Sequence, residues 1–355
     1  MNQDQTPQAS FVQKPDTYRF EFTGSGKEYF KIWIVNLLLS ILTLGIYSAW
    51  AKVRTNRYLY RCVKLDDSGF DYHGSPIAIL KGRIIAVCLI AALNIAPQVH
   101  LFLYLAVLVL FLVIMPWLVT RSLAFRMRNS SWRAIRFQFK GGVVEAAKCF
   151  YAYGLLSMIT LFVAYPVQYR EIKKFTFEKT YFGKTGFTFK ASLGGMYKVF
   201  LLTGLFVLAI GACYGIGMAG LISGTDSGKP VEEIYLVMAP LMVILYLVLI
   251  LVVYPFFKTK ITNLVWNNVE LGEAAFESTL TVRKYFKVVA SNLFLTILTL
   301  GIYWPWALVK IIRLRVENLS LTARNGLDNF MADSSAEVGA AGEEISSAFD
   351  FDISF

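Results

Sequence analysis

Seven apolar segments in this chain are joined by connections whose cations ask for one side of a membrane, and an odd number of crossings cannot satisfy that request. The segments cover residues 30–50, 83–97, 99–119, 143–167, 196–222, 234–257 and 285–308. Most approach the 17–25 residues a helix needs to traverse hydrocarbon. Lys and Arg number seven between Ala51 and Arg83, seven between Val119 and Lys148, six between Gln168 and Met196, and four between Lys258 and Lys284. The connection at 98–100 has no cation, and the one at 223–232 has only Lys229. Short cytoplasmic loops collect Lys and Arg, so the four basic connections belong on one face. Seven full crossings would put the stretch at 168–196 on the other.

Two arrangements answer this conflict. In the first, segments 30–50, 143–167 and 285–308 enter and leave on the cytoplasmic side as re-entrant or interfacial helices breaking near Gly45 and Gly301, while the other four cross as two hairpins. In the second, all seven cross and two three-segment units form inverted repeats of the kind found in secondary transporters. Length favours the second, since residues 32–50 would make a helix of about 28 Å at 1.5 Å per residue. The charge count favours the first.

The three problem segments share a phrase. Aligned without gaps, Tyr29–Arg54 and Tyr285–Lys310 are identical at 16 of 26 positions, including Asn36/Asn292, Gly45/Gly301 and the run LTLGIY. A weaker copy is LLSMITL at 155–161. Chance does not produce such agreement, so the chain reads as built from internal repeats. Each copy carries hydroxyls three apart, Ser40 and Thr43, Ser157 and Thr160, Thr296 and Thr299, a spacing that puts both on one helix face. With Asn36, Asn292, Gly45 and Gly301 they form a candidate polar path or a helix-packing face. Aromatics and cations at the segment exits, Trp50, Lys52, Arg54, Arg57, Arg61, Trp306 and Lys310, suit an interface with anionic lipid headgroups.

Composition agrees with a membrane protein: 56% of residues are hydrophobic and 17% charged, with a mean hydropathy of +0.53. The polar first residues show no signal peptide, so the first apolar segment is expected to be retained. Residues 1–17 read as a disordered polar start. Residues 327–355, with seven acids and no cation, read as a disordered acidic tail. Cys62, Cys88, Cys149 and Cys213 form no CxxC pair, and His73 and His100 lie apart, so neither metal nor cofactor is expected. Glu145, Lys148 and Lys198 lie near segment ends, where snorkelling accounts for them. No catalytic constellation or nucleotide-binding glycine motif is present, so no enzyme is expected, and no stacking motif points to nucleic acid.

Between the basic exits and the next apolar run come VKLDDSGFDY, IRFQF, FTFEKTYFGKTGFTF and AAFEST, with Phe20-Glu21-Phe22 before the first segment. Their period of two is the strand signal. The expected fold is therefore an all-α polytopic membrane domain at 18–326, with internal repeats and short cytoplasmic β-hairpin elements.

The phrase NLLLSILTLGIYSAWAKVRTNRYLY, preceded by FEFTGSGKEYFKIW and echoed by LTLGIYWPWALVK, resembles the YjgN-like family of bacterial inner-membrane proteins over about residues 18–326. The resemblance implies a multi-pass inner-membrane location and assigns no biochemical role. Passive permeation or transport of a solute or lipid is the leading expectation. A non-catalytic scaffold at the membrane surface, binding anionic lipid or a partner protein, is the alternative.

Overall fold

The computed structural model describes residues 16–223 and 231–323; residues 1–15 of the expected disordered start, the connection at 224–230 and the acidic tail lie outside them, while Asp16 and Thr17 of that start open a strand. The chain follows one order five times: a strand, a helical hairpin, a short strand. Unit one comprises β1 (Asp16–Phe22), α1 (Gly26–Leu42), α2 (Ser48–Cys62) and β2 (Val63–Leu65). Unit two comprises β3 (Ser68–Tyr72), α3 (Pro76–Val99), α4 (Leu101–Arg128) and β4 (Ser130–Trp132). In unit three, β5 (Ile135–Phe139) leads into α5 (Val143–Ala147), a π-helical turn at Lys148–Ala152, α6 (Tyr153–Ile159), α7 (Tyr165–Glu178) and β6 (Thr180–Phe182). Unit four runs from β7 (Thr185–Phe189) through α8 (Leu193–Ser223), α9 (Val231–Val248), a second π-helical turn and α10 (Tyr254–Trp266) to β8 (Val269–Leu271). Unit five is β9 (Ala274–Ser278), α11 (Val282–Leu298), α12 (Trp304–Val316) and β10 (Leu319–Ala323).

The ten strands close into one antiparallel barrel in which β1 pairs with both β2 and β10. This corrects the expectation of an all-α domain with separate hairpin elements. The alternating pieces are strands, except that FTFE at 175–178 ends helix α7; each strand is only three to seven residues long, and closure gives every one of them two neighbours. Because neighbouring strands are antiparallel, all five helical hairpins leave from one end of the barrel. All four inter-unit turns lie at the other. Positive φ at Asp66, Asp67, Arg133, Ala134, Gly183 and Gly272 lets these two-residue turns match the strand twist.

A phenylalanine from each first strand of a unit faces inward: Phe20, Phe70, Phe137, Phe187 and Phe276. Ring centroids lie 6.3 Å apart for Phe20–Phe70, 6.4 Å for Phe20–Phe276, 6.2 Å for Phe187–Phe276 and 6.4 Å for Phe137–Phe187. Trp132 and Phe182 bridge the remaining gap, with Phe70–Trp132 at 6.0 Å, Trp132–Phe182 at 5.9 Å and Phe182–Phe137 at 5.0 Å. Leu65, Leu271 and Leu321 complete this core. The barrel is packed, not hollow.

Two residues after the inward phenylalanine comes a second aromatic, Phe22, Tyr72, Phe139 or Phe189, in units one to four. In units one to three the ring folds over a glycine at the barrel–helix junction: a Cβ at Gly141 would come 2.4 Å from the Phe139 ring, and Gly24 and Gly74 are equally crowded. Unit five inverts the sizes, with Ser278 in place of the ring and buried Leu280 in place of glycine. The volume is conserved while the donor changes.

The hairpins differ in reach. Pro76–Val99, Leu101–Arg128, Leu193–Gly220 and Met238–Trp266 are long and apolar enough to cross a membrane; they form the hairpins of units two and four. The other three turn back early, after Leu42, Ile159 and Leu298. Phe182→Ala, which empties the side of the core that bridges Phe137 and Trp132, is expected to cost about 3–5 kcal/mol. Thermal unfolding of the detergent-solubilised protein checks this, against Leu44→Ala at a hairpin tip, which should leave the midpoint in place.

Candidate functional site

The repeated phrase folds into the short hairpins of units one and five. Asn36 and Asn292 are buried on α1 and α11 and donate across the hairpin to its returning helix. Asn292 Nδ2 bonds the Ala307 carbonyl at 3.0 Å, and Asn36 Nδ2 reaches the Ala51 carbonyl at 3.4 Å and Thr55 Oγ1 at 3.5 Å. Both Oδ1 atoms lack a partner among the described residues.

LTLGIY is the turn. Leu44 and Leu300 take φ of 49°, and Gly45 and Gly301 take 90° and 91°, a left-handed pair that glycine completes without strain. The Gly45 amide donates to the Ser40 carbonyl at 2.7 Å, and Gly301 to Thr296 at 2.8 Å. Thr43 Oγ1 donates to the Leu39 carbonyl at 2.7 Å and accepts from the Tyr47 amide at 2.9 Å, so one hydroxyl ends the first helix and starts the second. Thr299 does the same between Leu295 and Tyr303. Thr160 does so between Leu156 and Ala164, beside Ser157, whose hydroxyl bonds the Tyr153 carbonyl. The third copy lacks the glycine, and Leu161 and Phe162 take φ of 49° and 66°. The structure therefore brings each copy's residues together at one hairpin tip. Units one and five are neighbours through Phe30 and Trp306, 4.8 Å apart, whereas unit three stands away from both in the barrel order.

The interface set sits nearer the barrel. Trp50 stacks on Tyr47, and Trp306 on Tyr303, over which Lys310 also lies at 5.2 Å. Arg61 pairs with Asp71 at 3.0 Å, while Arg54 and Arg57 are exposed.

Lys52 belongs elsewhere, to a cluster that the sequence reading missed. Counted back from the first residue of each unit's second strand, positions 4, 7 and 11 form one helical stripe. It holds one cation per unit: Lys52, Arg126, Lys173, Lys258 and Arg315. None of the other ten stripe positions is acidic. Burial, then the charges of Lys258, Arg126 and Arg315, lowers the pKa of the Lys173 ammonium below its ordinary value. Burial, then Arg83 and Arg126, does the same to Lys52. Unit five is not a barrel neighbour of unit three, so the charge of Arg315 acts on Lys173 across the barrel axis. Among the described residues, Arg126, Lys173, Lys258 and Arg315 have no carboxylate in ion-pair contact. No group of three or more His, Cys, Asp or Glu side chains among those residues could hold a metal.

An apolar cavity of about 390 Å³ opens between α3 and α4, lined by Leu89, Phe111, Met115, Leu118 and Leu123. Thr299→Val, which removes the hydroxyl shared by two helix ends, is expected to cost about 1–2 kcal/mol. Asn292→Leu, which removes one interhelical bond, should cost about 0.6 kcal/mol. Unfolding of the two variants in the same detergent checks the order.

Curated relatives share part of the chain. It is 29% identical over 143 residues to the inner membrane protein YjgN of Salmonella typhimurium, an alignment covering 40% of this chain and 36% of the relative. It is 32% identical over 129 residues to YjgN of Escherichia coli O157:H7, covering 35% and 31%. The chain thus spans about a third of the length of the curated relatives it matches. No solved structure matches. The family described as "Bacterial protein of unknown function (DUF898)" matches residues 17–348, and the chain belongs to that family.

Proposed function

We propose that the chain is a multi-pass inner-membrane protein that binds anionic lipid from the barrel side and eases its passage across the bilayer, without chemical catalysis. The hairpins of units two and four cross, while those of units one, three and five enter from the barrel side and return. The five units are, on this reading, diverged copies of one strand–hairpin–strand ancestor.

The observation that carries the proposal is the exposure of the short-hairpin tips. Leu44 is 95%, Leu300 94% and Leu161 84% exposed, a state that suits hydrocarbon and is costly in water. Their depth supports a one-leaflet insertion. The ten positions at 33–42, apolar but for Asn36 and Ser40, rise about 15 Å, against about 30 Å for the hydrocarbon core. A bundle that fills one leaflet at three places and both at two imposes a thickness mismatch on the surrounding lipid. The cavity between α3 and α4 has the lining an acyl chain needs. Passage of a solute straight through the barrel is disfavoured by its packed aromatic core.

The scaffold reading keeps one supporting feature, the exposed cations Arg54 and Arg57 beside Trp50, which suit anionic headgroups at roughly 1 kcal/mol each.

Two experiments test the proposal. Lys184→Cys in the Gly183-Lys184 turn should react with an impermeant maleimide in inverted vesicles and not in spheroplasts, and Leu44→Cys should be protected in both. Reaction of the Lys184→Cys protein only from the periplasm would overturn the arrangement. In reconstituted vesicles, dithionite should bleach a fluorescent anionic lipid of the inner leaflet faster with protein present, and Leu44→Asp with Leu300→Asp should abolish the gain. Unchanged flux with intact vesicle binding would favour the scaffold.

A further inference from the structure

We propose that Lys52, Arg126, Lys173, Lys258 and Arg315 form a receptacle on the barrel axis for an anion carrying two or more phosphate groups. The five units each contribute one cation, and each cation occupies the same helical stripe despite its different height on it. Like charges gathered by five separate helices gain nothing from one another. For Arg126, Lys173, Lys258 and Arg315, which have no carboxylate in ion-pair contact among the described residues, convergence is favourable only with an anion among them. Arg126 and Arg315 are exposed and Lys52, Lys173 and Lys258 half-buried, so the cluster can be reached.

A second observation points to the same place. The Thr259 hydroxyl, on a residue 1% exposed, has no hydrogen-bond partner among the described residues. Buried hydroxyls of this kind are ordinarily satisfied. Thr259 follows Lys258 on α10, and Tyr285 lies on α11 within electrostatic reach of Arg315. The corresponding tyrosine of unit one, Tyr29, has Thr55 as its partner. In unit five the position of Thr55 is taken by Ile311, and the Tyr285 hydroxyl turns instead to Tyr254 of unit four, so Thr259 is the buried hydroxyl left without a partner beside the cluster.

The chemistry selects phosphate. A guanidinium presents a planar fork to two phosphate oxygens, and an ammonium serves as a compact point charge. Two arginines and three lysines match a diphosphate better than a single carboxylate, whose one charge would leave most of the repulsion standing. The aromatic core closes the barrel beneath, so the ligand arrives from the membrane side or laterally between hairpins. A diphosphate headgroup of a lipid and a free diphosphate would offer the same oxygens.

The test uses the full chain in phosphatidylcholine nanodiscs, with the thermal unfolding midpoint as readout. In one arm inorganic pyrophosphate is titrated in; in the other the nanodisc carries a lipid with a diphosphate headgroup. The expected result is a saturable rise of the midpoint in at least one arm, exceeding that of sulfate at equal ionic strength. A rise in the lipid arm alone assigns the site to a headgroup, and in the pyrophosphate arm alone to a free anion. Lys173→Gln with Arg315→Gln should weaken the apparent affinity roughly tenfold or more. The same variant should unfold at a higher temperature than the parent when no ligand is present, because it relieves repulsion. Arg126→Gln alone provides a milder second variant, and Arg136→Gln, exposed on β5 and outside the cluster, should bind as the parent does. The absence of a saturable rise in both arms, or unchanged affinity in the double variant, would overturn the proposal. Neither arm depends on lipid movement, so the lipid-passage proposal can fail while this one stands.

Discussion

Everything above the strands depends on the pairing that closes the barrel. A strand of three residues such as Val63–Leu65 has no independent existence, and a single hairpin of the turn-joined kind would expose both edges. Ten such strands bury a continuous phenylalanine ring only when the last of them finds the first. Closure also settles a matter of geometry that no single helix could. Once every hairpin starts and ends on one rim, the number of apolar segments ceases to matter for sidedness, and each hairpin is free to be long or short.

How much of this could be read in the residues varies from element to element. The alternation in IRFQF and in the TYFGKTGFTF part of the longer run marks β5, β6 and β7 through the inward Phe137, Phe182 and Phe187, whereas the same alternation in FTFE at 175–178 ends helix α7. Ser130–Trp132 carries no comparable pattern, and Leu319, Leu321 and Ala323, which alternate with Ser320 and Thr322, lack the aromatic that marks the other strands. The partners of these two strands across the ladder, Tyr72 and Ser278 among them, lie about 40 to 60 residues away. A ladder between such distant stretches is fixed by tertiary closure and not by local preference, which is why the strands were visible as pieces and the barrel was not.

The axial cations illustrate a different limit. In the sequence Lys52, Arg126, Lys173, Lys258 and Arg315 are five among thirty-five basic residues, and no motif joins them. They line up only when counted from the start of each second strand, an origin that the barrel itself supplies. The hydroxyl pairs show the opposite case. Their i, i+3 spacing is plain in the sequence, yet only the second hydroxyl serves the turn through its side chain; the first position gives it a backbone carbonyl that any residue would supply. Matched copies then diverge where chemistry differs, as at Thr55 and Ile311.

The seam between Asp16–Phe22 and Leu319–Ala323 gives the molecule a timetable. During synthesis the amino-terminal strand must wait, one flank unpaired, while some three hundred residues and all the long hairpins emerge and insert. Pairing across such a sequence separation is entropically slow, and an unfinished ring offers two open flanks to any neighbour. A chain interrupted before its last strand is therefore a sticky crescent, and completion of the circle is the step that turns a nascent, adhesive intermediate into a solitary particle.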